Sequence, residues 1–412
     1  ISGEYLSAAS FLGGGGLITK NGADALWYPV GFTAGYLGLL LFVAAPLRRS
    51  GAYTVPDFAE FRLGSTRLRK VAMIVVVVIC IFYLVPQYQG AGLALKTLLG
   101  IPVWLGPLAV GAIVITNVVA GGMRSITFVQ AFQYWLKLTA VAIPALALAG
   151  LFLSDRGGEL GGPLPPTVQQ DTTVAIEADV VVQVAAPGGI TVTGTLDGRR
   201  VDATAIGAAG EHTLGAGSTL NLAAGAATPV VAGTPSAGSD WISSGGGLGG
   251  YHPMYQVVSI MVATFLGTMG LPHVLVRFYT NPDGRAARRT ALAVIMLLSL
   301  FYVFPTLLGV FSRLYVPRVL ITGAADAAVL LAPSSAIAGL AGQLLAALVA
   351  AGAIAAFLAT SSGLLVSFAG ALATDVLPGR VRDFRVAAVI GGLIPIPLAL
   401  AASGGMELSR SV

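Results

Sequence analysis

The apolar residues of this chain are gathered into runs long enough to cross a bilayer, at roughly 24 to 47, 70 to 97, 103 to 122, 127 to 153, 254 to 276, 289 to 312, 335 to 373 and 385 to 403. A hydrocarbon core of ~30 Å takes about 20 helical residues to span, and the segment at 5 to 20 makes a ninth run. Hydrophobic residues fill 56% of 412 positions and charged residues 10%, whereas soluble domains are about one quarter charged. The runs are rich in Val, Ala and Leu and do not alternate with a period of two, which favours a helical bundle over a spanning barrel. The expected fold class is an all-α polytopic membrane protein.

The net charge of +5 does not point to nucleic acid, because the basic residues sort by loop instead of forming one soluble face. Arg48, Arg49, Arg62, Arg67, Arg69 and Lys70 share one loop, Arg124 lies in a second, Arg277, Arg285, Arg288 and Arg289 in a third, and Arg380, Arg382 and Arg385 in a fourth. The positive-inside rule makes these loops cytoplasmic, and their alternation with weakly charged loops is consistent with nine spans. The segment at 5 to 20 then runs from inside to outside. Cys80 is the single cysteine and lies within IVVVVICIF, so it packs as a small hydrophobe and no intrachain disulfide is possible.

Residues 154 to 250 break the apolar pattern with Pro, Gly, Thr and short alternating stretches, among them GGITVTGTLDGRRV with its Asp-Gly turn signal. They predict a small extracellular β-rich insertion between membrane parts at 1–153 and 251–412, without a role in the chemistry. His212 and His252 lack Cys or acidic neighbours at ligand spacing, so no metal site is expected there. No HExxH, GxSxG, P-loop or kinase-like signature is present, which argues against an enzyme.

Polarity inside the spans is unevenly placed: the opening stretch, Gln87 with Tyr88 and Gln89, Gln130 with Gln133 and Lys137, Thr264 with Thr268, and ATSSG at 359–363. Polar groups in lipid face a cavity or a neighbouring helix. Gln130, Gln133 and Lys137 sit toward the cytoplasmic end of their run, where snorkelling or capping accounts for them. The opening GEYLSAASFLGGGG combines Glu4, Ser7 and Ser10 with glycines at 3 and 13 to 16. Such poor helix propensity is tolerated where backbone lines a cavity. A helix broken there frees carbonyl oxygens for a hard cation, and half-helix N-termini offer N–H groups to an anion; the alternative is that the glycines only permit close helix packing.

GEYLSAASFLG, GAYTVPDFAEFRLG, GGMRSITFVQAFQ and FLGTMGLPHVLVRFYTNPDGRAARR resemble the sodium:solute symporter family, and most closely its cation/acetate, or monocarboxylate, branch. The resemblance covers nearly all of the chain outside the insertion. It implies an inverted repeat of five plus five helices in which 5 to 20 is the first core helix, 254 to 276 the sixth and 335 to 373 contains the eighth. One helix would then precede residue 1, and the tenth core helix would follow Val412. Carrying the family's sodium site onto matching positions gives Gly3, Leu6 and Ala356 as carbonyl donors, with Ala359 and Thr360 where hydroxyls are usual. Ala359 departs from that pattern, and the neighbouring Ser361 and Ser362 point elsewhere on the helix. Glu4 is a possible coupling acid beside the cage.

The same matching suggests Ser10, Tyr88, Thr264 and Thr268 for the solute, with no intramembrane Arg to clamp a carboxylate. Hydroxyls and freed N–H groups suit acetate, propionate or pyruvate better than a sugar. His273, between the sixth helix and Arg277, is expected to be structural or gating. The function implied is symport of a small monocarboxylate with a cation, sodium first, across the plasma membrane, with no cofactor beyond the coupling ion. A proton-coupled carrier and the membrane sensor of a signalling protein are the rivals.

Overall fold

The structure is a computed structural model and describes residues 1–155, 160, 165–176, 179–245, 252–322, 325–376 and 381–402. Arg380 of the fourth basic loop and the residues after 402 lie outside that set.

The opening segment forms α1 (Ser2–Tyr5), a π-turn at Ala9–Gly13 and α2 (Gly14–Asn21). The axis breaks again at Gly22, whose φ of 60° and ψ of −130° suit glycine, before α3 (Trp27–Gly38). A second π-turn leads into α4 (Ala44–Arg49). The short α5 (Val55–Leu63) opens on a capping box of Thr54 and Asp57 and closes on Gly64 at φ 64°. Next come α6 (Thr66–Leu99) and α7 (Leu105–Asp155). At ~1.5 Å per residue α7 far exceeds one bilayer, and its membrane-length part is Ser125–Ser154, preceded by the shorter apolar stretch Leu105–Gly121.

Among the described residues seven strands follow: β1 (Thr172–Ala175), β2 (Val180–Val184), β3 (Ile190–Leu196), β4 (Arg199–Ala205), β5 (Gly210–Leu214), β6 (Thr219–Leu222) and β7 (Val230–Val231). They pair antiparallel in the order β1-β6-β3-β5-β2-β7, with β4 on β3. The β3–β4 hairpin turns on Asp197 and Gly198, both at positive φ (49° and 76°), as a two-residue hairpin loop demands. Val182, Val192, Leu214 and Leu220 form the sheet's own core, fully buried.

The chain returns through α8 (Gly238–Ile242) to α9 (Pro253–Gly270) and α10 (Pro272–Tyr279), two helices bent by 42° at Leu271. Then come α11 (Gly284–Tyr315), α12 (Val319–Thr322), α13 (Ala328–Ala336), the 37-residue α14 (Gly339–Asp375), α15 (Val381–Leu393) and α16 (Pro395–Ala402). Among the described residues six helical stretches are long and apolar enough to span a membrane, or seven with the bent pair as one. Outward faces carry exposed Phe42, Phe82, Phe128, Phe132 and Leu266, the pattern of a lipid-facing wall. The chain is an integral membrane protein.

The glycine run does not make the first break. The break falls at Leu6 and Ser7, ahead of it. Gly15 and Gly16 instead let α2 approach the Val329 side chain and the Ala325 backbone closer than a Cβ would allow. Of the two readings of these glycines, close packing is the one the geometry shows.

Candidate functional site: two helix breaks and a carbonyl cage

Leu6 (φ −70°, ψ 95°) and Leu271 (φ −65°, ψ 113°) leave the helical region with nearly the same extended backbone. Each stands between two half-helices, and the two breaks adjoin. Tyr5 Oη and Thr268 Oγ1 lie 3.3 Å apart, one residue before the first break and three before the second. Arg277 Nε donates to Glu4 Oε2 at 2.7 Å. Helices interrupted inside a hydrophobic bundle must have their freed groups satisfied by neighbours, and here three helices do so. Gln87 of α6 accepts from the Ala8 N–H through Oε1 at 2.9 Å. Thr360 of α14 donates from Oγ1 to the Glu4 carbonyl at 2.6 Å and, more weakly, to Leu6 at 3.4 Å. Lys137 of α7 donates from Nζ to the Gly3 carbonyl at 2.5 Å and the Leu6 carbonyl at 2.8 Å.

The residues expected to hold a cation therefore converge. Gly3, Leu6, Ala359 and Thr360 are linked through one hydrogen-bonded cluster, with Ala356 fully buried one turn away on α14. Thr360 is the hydroxyl in it. Ala359 contributes only its carbonyl, which accepts from Gln130 Nε2 at 2.9 Å. Among the described residues no group of three His, Cys, Asp or Glu side chains forms a metal centre, so what this cluster offers is a few neutral oxygens.

Two side chains, Lys137 and Arg277, sit differently from the sequence reading, and Glu4 joins them. Lys137 does not snorkel: it is wholly buried and points across the bundle into the break of the first helix. Glu4, beside the cage, is 1% exposed and paired with Arg277. Arg277 in turn is a buried arginine inside the bundle, holding Glu4, the Thr127 hydroxyl at 2.8 Å and the Gln130 Oε1 at 2.9 Å. Long-range partners decide all three. No local pattern around Lys137 reveals that Gly3 will lie beside it, although Gln130 and Lys137, seven residues apart, share one helix face and could have marked α7 as a polar stripe.

The four expected solute residues do not form one pocket. Ser10 Oγ and Tyr302 Oη are 3.1 Å apart, and Tyr302 stacks on Phe32, whose other neighbour is Tyr5, the partner of Thr268. Ser10 and Thr268 thus border one aromatic cluster of Tyr5, Phe32, Tyr36 and Tyr302. Tyr88 lies apart, donating to the Gly392 carbonyl of α15 at 3.2 Å. Thr264 bonds the carbonyl of Ile260 on its own helix at 2.6 Å and packs on Gly31 of α3, the self-satisfied arrangement common for helical Thr. His273 is fully buried beside the second break, tilted against Tyr83 with ring centroids 5.6 Å apart, and neither ring nitrogen has a hydrogen-bond partner among the described residues. Tyr83 donates to Ser7 Oγ at 3.3 Å, which places His273 next to both breaks.

At the end of the bundle that carries the first arginine-rich loop, Arg69 ties three acids together: Asp57 at 2.8 Å, Glu60 at 2.7 Å and Asp375 at 2.6 Å. This network joins α5, α6 and the C-terminal end of α14. Hydrogen bonds from Arg69 and Thr66 hold the Glu60 carboxyl below its ordinary range.

The chain can be compared with known proteins on this geometry. It is 30% identical over 382 residues to the uncharacterized symporter YwcA of Bacillus subtilis, covering 93% of this chain and 60% of that protein. It is 31% identical over 417 residues to the monocarboxylic acid transporter of Corynebacterium glutamicum, covering 98% and 65%. The chain therefore spans a little under two thirds of the length of these relatives. Its fold is similar to that of a Na+-coupled sialic acid symporter solved substrate-bound in an outward-open state, with a TM-score of 0.62 at 12% identity, covering 97% of this chain and 72% of the other. The model of the sodium:solute symporter family matches residues 1–156 and 212–383, passing over a stretch that includes β1 to β4. These relatives are transporters rather than enzymes, and the chain belongs to the sodium:solute symporter family.

Proposed function

We propose that this chain is the membrane-spanning part of a symporter that carries a small monocarboxylate, such as acetate, together with a cation, sodium in the first instance, by alternating access. The observation behind this reading is the meeting of two interrupted helices at Leu6 and Leu271, with main-chain oxygens of the first turned toward Thr360. Neutral oxygens favour a hard monovalent cation, and half-helix ends favour an anion. In this reading Gly3, Leu6, Ala356, Ala359 and Thr360 surround the cation, while Ser10 and Thr268 border the solute's path. The similarity to a protein named a monocarboxylic acid transporter supports the solute class. The insertion between 154 and 250 then faces the outside of the cell membrane.

Coupling has an energetic reason. An anion entering against an interior at about −100 mV climbs about 2.3 kcal/mol, and one accompanying monovalent cation cancels that term. The cation's concentration gradient is then left to drive uptake. The test is counterflow of labelled acetate in proteoliposomes, with Na+, K+ and pH gradients imposed in turn. Acceleration by a sodium gradient is the expected result; absence of counterflow under every gradient overturns the reading.

A further inference from the structure

The cage at the first helix break is already engaged by a cation of the protein's own. Lys137 reaches it from α7 with no solvent exposure, and its ammonium donates to the Gly3 and Leu6 carbonyls, two of the oxygens that a sodium ion would need. Two further carbonyls of the cluster are also taken up by protein donors: that of Glu4 accepts from Thr360 Oγ1, and that of Ala359 accepts from Gln130 Nε2. The Glu4 carboxylate is shared with Arg277, so Lys137, Arg277 and Glu4 together carry one positive charge in excess. A second unit charge about 4 Å away would raise the energy by about 4 kcal/mol at an effective dielectric of about 20, and the ammonium and a free ion would compete for the same lone pairs.

We propose that Lys137 is a built-in competitor of the coupling cation: its ammonium and a free sodium ion take the Gly3 and Leu6 carbonyls in turn, and Lys137 sets how much sodium the protein requires. The inference rests on the proposed role of this cage in cation coupling. It also gives the docked lysine a conformational consequence. With its head on Gly3 and Leu6, Lys137 fastens the break of the first helix to α7, so sodium entry requires that fastening to release.

The test is equilibrium binding of radioactive sodium to the purified protein at one fixed pH, without any solute and with potassium as the balancing ion. Lys137→Met keeps the length and the apolar stem but removes the ammonium; Lys137→Gln keeps a donor without the charge. Both are expected to bind sodium about tenfold more tightly than the wild type, and methylammonium is expected to displace sodium from Lys137→Met. Folded variants with unchanged or weaker sodium binding overturn the inference. Should neither variant fold, amine labelling of Lys137 in the wild-type protein replaces them. Labelling is expected to rise when sodium replaces potassium, and a rate indifferent to the ion overturns the inference. Because no solute is present, the outcomes separate. Sodium binding governed by Lys137 in a protein that does not exchange acetate leaves this inference standing and removes the transport reading. Acetate exchange with sodium binding indifferent to Lys137 does the reverse.

Discussion

Arg277 Nε and Glu4 Oε2 lie 2.7 Å apart with both side chains almost wholly buried, joining half-helices 273 positions apart in the chain. The pair holds α1 to α10, the two half-helices that flank the breaks on the side of the arginine-rich loops. Desolvating two charges is costly, and their attraction offsets it only when both are present. Arg277→Met is therefore expected to destabilise the protein by about 3–5 kcal/mol, since Glu4 is left charged and buried. Glu4→Gln combined with Arg277→Met should recover part of that loss. Thermal unfolding in detergent of the single and double variants checks it, and strictly additive losses would count against a coupled pair.

Gly363 makes room for that carboxylate. A Cβ at this position would overlap Glu4 Oε1, Cδ and Cγ. Gly363→Ala must push Glu4 off Arg277 or α1 off α14, at about 1–3 kcal/mol for overpacking a filled interior. The expected signature is a lowered melting temperature together with slower uptake, because α1 carries Gly3 and the cage. Uptake at the wild-type rate in Gly363→Ala would show that the position of α1 does not matter to transport.

His273 presents the opposite case, a buried polar ring whose nitrogens have no partner among the described residues. Leaving a polar group buried and unsatisfied costs about 1–3 kcal/mol, so its replacement by an apolar ring of similar shape should be neutral or stabilising. His273→Phe keeps the contact with Tyr83 and removes the nitrogens. Its melting temperature is expected to equal or exceed that of the wild type, while uptake falls through a raised KM. A lower melting temperature with an unchanged KM would assign His273 to packing alone.

What the sequence showed about this protein depends on range. The spans follow from composition, because hydrocarbon acts on every residue of a run independently of its neighbours. An interruption near residues 3 to 16 was legible as polarity where lipid would not tolerate it, but its place was not: the glycines draw the eye to 13–16, whereas the chain leaves the helix at Leu6. Lys137 was misjudged for a physical reason. Snorkelling is inferred from depth along one helix, while burial is decided by what crosses in front of it, and the partners here are Gly3 and Leu6, both more than 130 positions away in sequence. Tyr88 and Thr264 were matched to the solute through the family resemblance, and in the structure they hydrogen-bond the carbonyls of Gly392 and Ile260.

The β3–β4 hairpin carries a pH response that can be worked out in sign. Asp197 closes the turn and accepts from the Thr213 N–H at 2.7 Å through Oδ1, while Oδ2 pairs with His212 Nδ1 at 2.8 Å; His212 Nε2 faces the Ala208 carbonyl at 3.2 Å. Two acceptors around one imidazole favour its charged form. The hydrogen bond that His212 Nδ1 donates to Asp197 raises the His212 pKa above 6.5, and the same bond, with that from the Thr213 N–H, lowers the Asp197 pKa below 3.8. The histidine's contribution is complete below 6.5 and is lost as pH rises through its raised folded value. The aspartate's contribution is present above 3.8 and is lost as pH falls through its depressed folded value. The hairpin is thus most stable between those two limits. Asp197 is 48% exposed, and solvent screening holds such a pair to about 0.2–1 kcal/mol. Asp197→Asn keeps an acceptor for Thr213 but removes the charge, so the His212 titration midpoint, read from its ring proton resonances, should move down toward 6.5. A midpoint that does not move on this substitution would mean that the charge of Asp197 does not act on His212.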